Sequence, residues 1–210
     1  MNSTPTPPRE PIAIYVTPFY NSEGPEVGVE PLAEVLATAT AATIGAVAEA
    51  VRGALVVMPA HTLFVLAIRL YDLGWREEGL YWFYMAQYRA RLLRQLQDAD
   101  YIGNMGDLAF ELNSAHSAFM ELAGPYFNGY AGCDQARWLA TIARVQADNQ
   151  AITNLSLIYP DVVLVPAEQW EELNRHVNEG LSGLADSIRD GWDELQAARR
   201  ENGADERFCL

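Results

Sequence analysis

The strongest constraint on the fold is an apolar stripe between Trp170 and Leu195. Its members recur at spacings of three and four residues: Trp170, Leu173, Val177, Leu181, Leu184, Ile188, Trp192 and Leu195. The mean spacing is about 3.6 residues, the period of an α-helix, so the stripe occupies one face of about seven turns. The pattern predicts a long amphipathic helix over about 167–199, whose apolar face the rest of the chain must cover. Gly180 and Gly183 predict a kink or a close backbone contact within it.

Apolar periodicity, capping residues and helix stops predict five earlier helices. They run from Pro31 to about Arg52, from about Pro59 or Thr62 to Leu73 before Gly74, from Arg76 to about Gln97, from about Leu108 to Gly124-Pro125, and onward from an N-cap at Asp134. The sequence therefore predicts a mostly α fold: a flexible tail at 1–11 and a single domain of about six helices over 12–210. Two extended segments, 12–16 and 161–165, could pair as a minor β element.

Strong acidity, with arginine as the only strongly basic side chain, limits the function. The chain has 28 Asp and Glu against 14 arginines and no lysine, a net charge of −14. Schiff-base, pyridoxal, P-loop and kinase chemistry all need a lysine and are therefore excluded. Nucleic acids and anionic membranes would be repelled, so neither is a predicted partner. A basic protein partner is favoured instead.

The acidity is concentrated after residue 97. Residues 41–97 carry a net +2, whereas 98–161 and 162–210 carry −6 each. Carboxylates outside the apolar stripe, together with an acidic loop, are the predicted partner-binding residues; the alternative is an ordinary solvated face. They are Asp98, Asp100, Glu171, Glu172, Glu179, Asp186, Asp190, Asp193 and Glu194.

The segment LFVLAIRLYDLGWREEGLYWFYMA, residues 63–86, carries small and aromatic residues at regular positions. With Leu66, Ala67, Tyr71, Gly74, Phe83 and Ala86 in place, it resembles a tetratricopeptide or Sel1-like helical hairpin over about 63–97. Gly79 stands where alanine is usual, Arg91 replaces the closing proline, and no second copy follows. The resemblance implies helix-pair packing and a peptide-binding groove at Tyr81, Tyr84 and Tyr88. The alternative is that these tyrosines belong to the core.

Catalytic or metal-binding chemistry would have to use His61, His116 or His176, which are far apart in the sequence. No HExxH, GxSxG or Cys-His signature is present, so no cofactor or metal is predicted. His116, inside a well-patterned helix, or the carboxylates of 98–107 are the candidates for the alternative, a hydrolase. Cys133 and Cys209 are 76 positions apart and predict no disulfide framework.

The start of the chain is proline-rich, without the basic and apolar run of a secretory signal, which predicts a cytoplasmic location. With its aromatic helical hairpin and its acidic single domain, the chain is similar to immunity proteins of bacterial contact-dependent and type VI secretion toxins. That resemblance implies a protein that binds and neutralises a cognate toxin, for example a nuclease. Two alternatives are a tetratricopeptide-like adaptor that binds a peptide, and the hydrolase that uses His116.

Overall fold

A computed structural model of the protein describes Ile12 and residues 28–29, 31–150 and 154–209. The predicted mostly α fold is confirmed, because the described residues form nine α-helices and no strand. These are α1 (Ala33–Thr38), α2 (Ile44–Gly53), α3 (Ala60–Asp72), α4 (Arg76–Leu96), α5 (Leu108–Ala131), α6 (Gln135–Asp148), α7 (Trp170–Asp190), α8 (Trp192–Glu201) and α9 (Ala204–Phe208). Short 3-10 turns connect several of them. The predicted tail lies outside the described residues.

The predicted hairpin is present as α3 and α4, which pack against each other as neighbours in the chain. Gly74 ends α3 with a φ of 89°, a left-handed conformation that glycine adopts without a steric penalty. The Trp75 amide then donates to the Leu70 carbonyl at 2.8 Å and closes the turn. Leu66 and Phe83 are both fully buried, as the helix-pair pattern predicts.

The two helices approach each other closely at Gly79. A Cβ added there would lie 2.9 Å from the Ala67 carbonyl oxygen and 3.1 Å from the Tyr71 amide nitrogen. Both neighbours are backbone atoms, so they cannot move aside without shifting α3. Glycine therefore stands where the resemblance expects alanine because the backbones of α3 and α4 leave no room for a side chain.

We expect Gly79→Ala to destabilise the protein by about 1–3 kcal/mol, because overpacking outweighs the better helix propensity of alanine. Gly183→Ala is the matched control, since nothing lies within 4 Å of a Cβ added to Gly183. That control should be neutral or stabilising by up to about 1 kcal/mol. Urea denaturation measures both free energies of unfolding. Equal effects would contradict the close approach at Gly79.

The helix α4 lies at the centre of the domain, with other helices packed around it. Trp82 and Phe83 are fully buried, and Phe83 stacks on Phe127 of α5 with ring centroids 4.3 Å apart. Tyr71 of α3 meets Phe127 edge-on at 5.1 Å. The core is therefore an aromatic cluster shared by α3, α4 and α5.

The prediction that the fourth helix ends at Gly124-Pro125 is wrong, because α5 continues through Pro125 to Ala131. A proline inside a helix removes one backbone hydrogen bond and costs about 3 kcal/mol. Phe127 and Ala131, both fully buried, lie in the turns after Pro125. Their burial offsets that cost and keeps the helix intact.

The predicted helix from Pro31 to Arg52 is wrong as one element, since the chain breaks it into α1 and α2. Thr43 Oγ1 accepts a hydrogen bond from the Thr40 amide at 2.9 Å, a local contact that competes with helix formation. The Arg69 side chain of α3 donates to the Leu36 and Ala39 carbonyls at 2.9 and 3.2 Å. These bonds satisfy carbonyl groups that the broken helix leaves open.

The C-terminal amphipathic segment breaks at Gly191, between α7 and α8, so the predicted kink near Gly180 and Gly183 is wrong. Both of those glycines are exposed, and no atom approaches their Cβ positions within 4 Å. At Gly191 an added Cβ would lie 3.1 Å from the Ser187 carbonyl oxygen.

The extended segment at 161–165 pairs with the end of α4. Gln97 and Leu164 form an antiparallel bridge, flanked by bonds from the Val165 amide to the Leu96 carbonyl at 2.8 Å and from the Asp98 amide to the Val163 carbonyl at 3.1 Å. The predicted pairing of 161–165 with the segment at 12–16 stays a prediction. Residues 13–16 lie outside the described part of the chain.

Candidate partner-binding surface

Five predicted partner-binding carboxylates share one face of α7. At 100° per residue, Glu171, Glu172, Glu179, Asp186 and Asp190 fall within a sector of about 100°, opposite the buried stripe. All five are exposed. They extend over 20 residues, a rise of about 28 Å along the helix. We call these five residues the acidic face.

Two arginines lie among these carboxylates. Arg175 pairs with both Glu172 and Glu179, and Arg189 donates to Asp186 at 2.6 Å. The hydrogen bond from Arg175 lowers the pKa of Glu172 below its usual range. Exposed pairs of this kind contribute little to stability, so they can rearrange when a partner approaches.

The other predicted carboxylates lie outside the acidic face. Asp193 and Glu194 are exposed in the first turn of α8, beyond the break at Gly191. Asp98 is half-buried and caps a 3-10 turn by accepting from the Asp100 amide at 3.0 Å. Asp98 therefore has a structural role, whereas Asp100 is exposed.

A polar cleft, which sequence patterns did not reveal, opens between α6 and α7 beside the acidic face. It has a volume of about 620 Å³, and its lining residues are Ala143, Gln146, Ala147, Gln150, Glu171, Asn174, Arg175 and Asn178. Glu171 belongs both to the cleft and to the acidic face. Asn174 is held by the Tyr88 hydroxyl, which donates to its Oδ1 at 2.6 Å, and by its own bond to the Asn149 carbonyl at 3.0 Å.

The three tyrosines of the predicted groove are buried, so the groove prediction is wrong and the core alternative holds. Tyr81, Tyr84 and Tyr88 have relative exposures of 2%, 2% and 1%. The Tyr84 hydroxyl donates to Asn128 Oδ1 at 3.0 Å and accepts from the Trp138 indole at 2.8 Å. Burial raises the pKa of Tyr84 and of Tyr88 to about 12. These side chains join the helices and present no surface to a peptide.

Two histidines that the sequence separates by 55 positions meet inside the domain. His61 of α3 and His116 of α5 stack with ring centroids 6.1 Å apart and planes inclined by 19°. His116 is 2% exposed, and neither ring nitrogen has a hydrogen-bond partner within the described residues. Burial, together with the nearby His61, lowers the pKa of His116 to about 3. Its ring is therefore neutral and inaccessible to substrate.

No group of three or more histidine, cysteine, aspartate or glutamate side chains is placed to hold a metal within the described ranges. His176, the third histidine, is exposed on α7 near Glu179. Across the same ranges, no helix combines the length and the apolar character that a membrane span requires.

The two cysteines form a disulfide, which the sequence did not predict. Cys133 follows α5 and Cys209 follows α9, and their sulfurs are bonded at 2.00 Å. The pairing closes a loop of 76 positions. Spacing alone could not reveal it, because the contact depends on α9 packing against α5: the Phe208 ring meets Tyr126 edge-on at 6.3 Å.

Comparison with known proteins assigns no family. No family model and no solved structure matches the chain. A protein of Haemophilus influenzae described as uncharacterized is 27% identical over 159 residues. The match covers 70% of this chain and 57% of that protein, so the chain spans little more than half of its relative's length. The tetratricopeptide and immunity-protein resemblances therefore stay predictions.

Proposed function

We propose that this chain is a non-catalytic protein-binding protein that recognises a basic partner through the acidic face of α7. The observation that carries the proposal is the arrangement of five exposed carboxylates in one sector of the helix, opposite its buried stripe. Five carboxylates against the two arginines among them leave the face net negative, which attracts a positively charged partner and speeds its association. Nucleic acids and anionic membranes, which share its sign of charge, are not partners in this proposal.

The cleft between α6 and α7 supports the same location. A side chain that projects from the partner could enter it and meet Glu171, with the amide group of Gln146 as a hydrogen-bond partner. An arginine suits this site, because its guanidinium donates to carboxylate and amide oxygens together. The positive charge of Arg175, which also lines the cleft, is already paired with Glu172 and Glu179. Charge would then steer the encounter, and the cleft would fix the orientation of the partner on α6 and α7.

More specifically, the proposed role is that of an immunity protein whose partner is a bacterial toxin, for example a nuclease. Enzymes that bind nucleic acids carry basic surfaces, which the acidic face complements. An adaptor that binds a peptide at Tyr81, Tyr84 and Tyr88 has less support, because those side chains are buried. A hydrolase that uses His116 has less support for the same reason.

The cytoplasmic location belongs to the proposal too, and the disulfide weighs against it. Disulfides persist mainly in oxidising compartments, and those found in the cytosol are mostly transient, catalytic or redox-sensing. A cytoplasmic location is thus compatible with the bond between Cys133 and Cys209 only if that bond exchanges readily.

The test begins with capture of the partner by the tagged chain from its native host, identified by mass spectrometry. We expect a basic protein in a 1:1 complex whose association slows as salt rises. Glu179→Arg with Asp190→Arg should slow association by about tenfold at low salt, since each change replaces attraction by repulsion. Surface-bound kinetics at several salt concentrations measure the rate.

A matched control keeps the net charge equal. Glu121→Arg with Asp161→Arg makes the same change in charge at exposed positions away from the acidic face. If the control slows association as much, net charge alone acts and the face is not the binding surface. If capture yields no toxin-like protein, the immunity role is rejected.

A further inference from the structure

The disulfide lies against a buried positive charge. Arg199 of α8 is 5% exposed, and its Nη2 lies 3.3 Å from Cys133 Sγ and 3.2 Å from Cys209 Sγ. Arginine stays protonated in proteins and is seldom buried without an anionic partner. Here one guanidinium nitrogen faces two neutral sulfurs, which are weak acceptors. The structure therefore places a cation where two thiolates would form on reduction.

Arg199 is fixed in that position by its other contacts. Its Nη1 donates to the Gly129 carbonyl at 2.9 Å, and its Nε donates to Asp205 Oδ1 at 2.8 Å. The backbone at Gly132 is so close that an added Cβ would lie 2.4 Å from Nη1. The Asp205 side chain is 41% exposed, so solvent screens its attraction to Arg199. The guanidinium is held beside the sulfurs by the fold.

We propose that Cys133 and Cys209 form a thiol–disulfide exchange site for dithiol reductants, with Arg199 as the residue that stabilises the leaving thiolate. A cation beside a cysteine favours its thiolate form, and a better leaving thiolate makes a disulfide exchange faster. The site is separate from the acidic face, so the inference is independent of the proposed function.

The exchange balances as a two-electron step. A thiolate of the reductant attacks one sulfur and forms a mixed disulfide, while the other protein sulfur leaves as a thiolate beside Arg199 Nη2. The second thiol of the reductant then attacks its own sulfur in the mixed disulfide, which frees the second cysteine. The reductant ends as a disulfide, the protein ends as a dithiol, and the thiol protons of the reductant pass to the cysteines or to water.

A reductant can reach the disulfide in the folded protein. Cys133 and Cys209 are half-buried and thus reachable at the surface. The segment that carries Cys209 keeps two further contacts: Arg76 Nη1 donates to the Phe208 carbonyl at 3.1 Å, and the Phe208 ring meets Tyr126 edge-on at 6.3 Å. Reduction therefore removes the covalent tie between this segment and α5, while these contacts remain.

The experiment equilibrates the full chain with dithiothreitol in its reduced and oxidised forms, then alkylates the free thiols and counts them by mass spectrometry. Arg199→Gln should make the disulfide harder to reduce, lowering the equilibrium constant for reduction about tenfold, or about 30 mV. Arg200→Gln, an exposed neighbour, is the matched control and should leave the constant within about twofold of the wild type.

A second variant should change the equilibrium constant for reduction in the opposite direction. Asp205→Asn removes the carboxylate that partly neutralises Arg199, so the constant for reduction should rise about threefold. Circular dichroism checks that each variant is folded. If Arg199→Gln does not fold, the test rests on Asp205→Asn. An equilibrium constant for reduction that is unchanged in this variant then overturns the proposal. A constant unchanged in both variants, or a wild-type disulfide that dithiothreitol reduces only under denaturing conditions, overturns it as well.

Discussion

Replacing Phe127 by alanine should lower the free energy of unfolding by about 3–5 kcal/mol, the range found when a large core aromatic is truncated. Phe127 is fully buried at the point where α3, α4 and α5 meet. Its ring stacks on Phe83 at 4.3 Å and meets Tyr71 edge-on at 5.1 Å. Truncation would lose both ring contacts and leave a cavity that the two surrounding helices cannot collapse to fill.

The same helix provides a matched control. Phe110 lies near the start of α5 and is 38% exposed, so Phe110→Ala removes the same side chain from a site at the protein surface. We expect this variant to lose less than about 1 kcal/mol. Urea denaturation followed by circular dichroism measures both. A loss below about 1 kcal/mol for Phe127→Ala would show that α5 does not pack on the hairpin as described.

The packing of Phe127 against α3 and α4 also explains why the sequence predicts the wrong end for α5. A Gly-Pro pair is a strong local stop signal, and the apolar residues before it already form a complete helical face. The opposing contribution is tertiary, since Phe127 contacts residues of α3 and α4 more than 40 positions away. Sequence patterns within α5 contain no information about those partners.

The α3–α4 hairpin was predictable because its signals are local and agree with one another. Gly74 stops one helix, the next starts two residues later, and both helices are apolar enough to be buried on most faces. The α1–α2 break was not predictable for the opposite reason. Its freed carbonyls are satisfied by Arg69 and Trp75, which lie about 30 positions further along the chain.

The candidate surface, too, was predictable from the sequence only in part. The helical period of α7 places Glu172, Asp186 and Asp190 opposite the apolar stripe, and all three are exposed. The cleft needs α6 beside α7, which no spacing reveals. The same holds for the disulfide and for the pair of His61 and His116. Each joins two elements whose distance in space is set by the packing of the whole domain.

The His61–His116 pair should make the protein sensitive to acid. In the unfolded chain the pKa of His116 is about 6.5, whereas burial lowers it to about 3 in the folded protein. Between these values the unfolded chain binds a proton that the folded protein does not bind, so acidification favours unfolding. The contribution of His116 to stability is complete above about pH 6.5 and is lost progressively as the pH falls toward 3.

At pH 5 this loss should be about 2 kcal/mol relative to pH 7. Burial lowers the pKa of His61 as well, which adds to the loss in the same direction. His116→Leu should remove the part of this pH-dependent loss of stability that His116 causes, because leucine has a similar volume and binds no proton. The substitution also removes from the core two ring nitrogens that have no hydrogen-bond partner within the described residues.

His176→Gln provides the control for replacing a histidine, because His176 is exposed on α7. Urea denaturation at pH 7, 6 and 5 gives the free energies of unfolding for the wild type and both variants. Carboxylate titrations are common to all three proteins, so the difference between His116→Leu and the wild type isolates the histidine. A difference that stays constant from pH 7 to pH 5 would mean that His116 titrates normally in the folded protein and that its ring is hydrated.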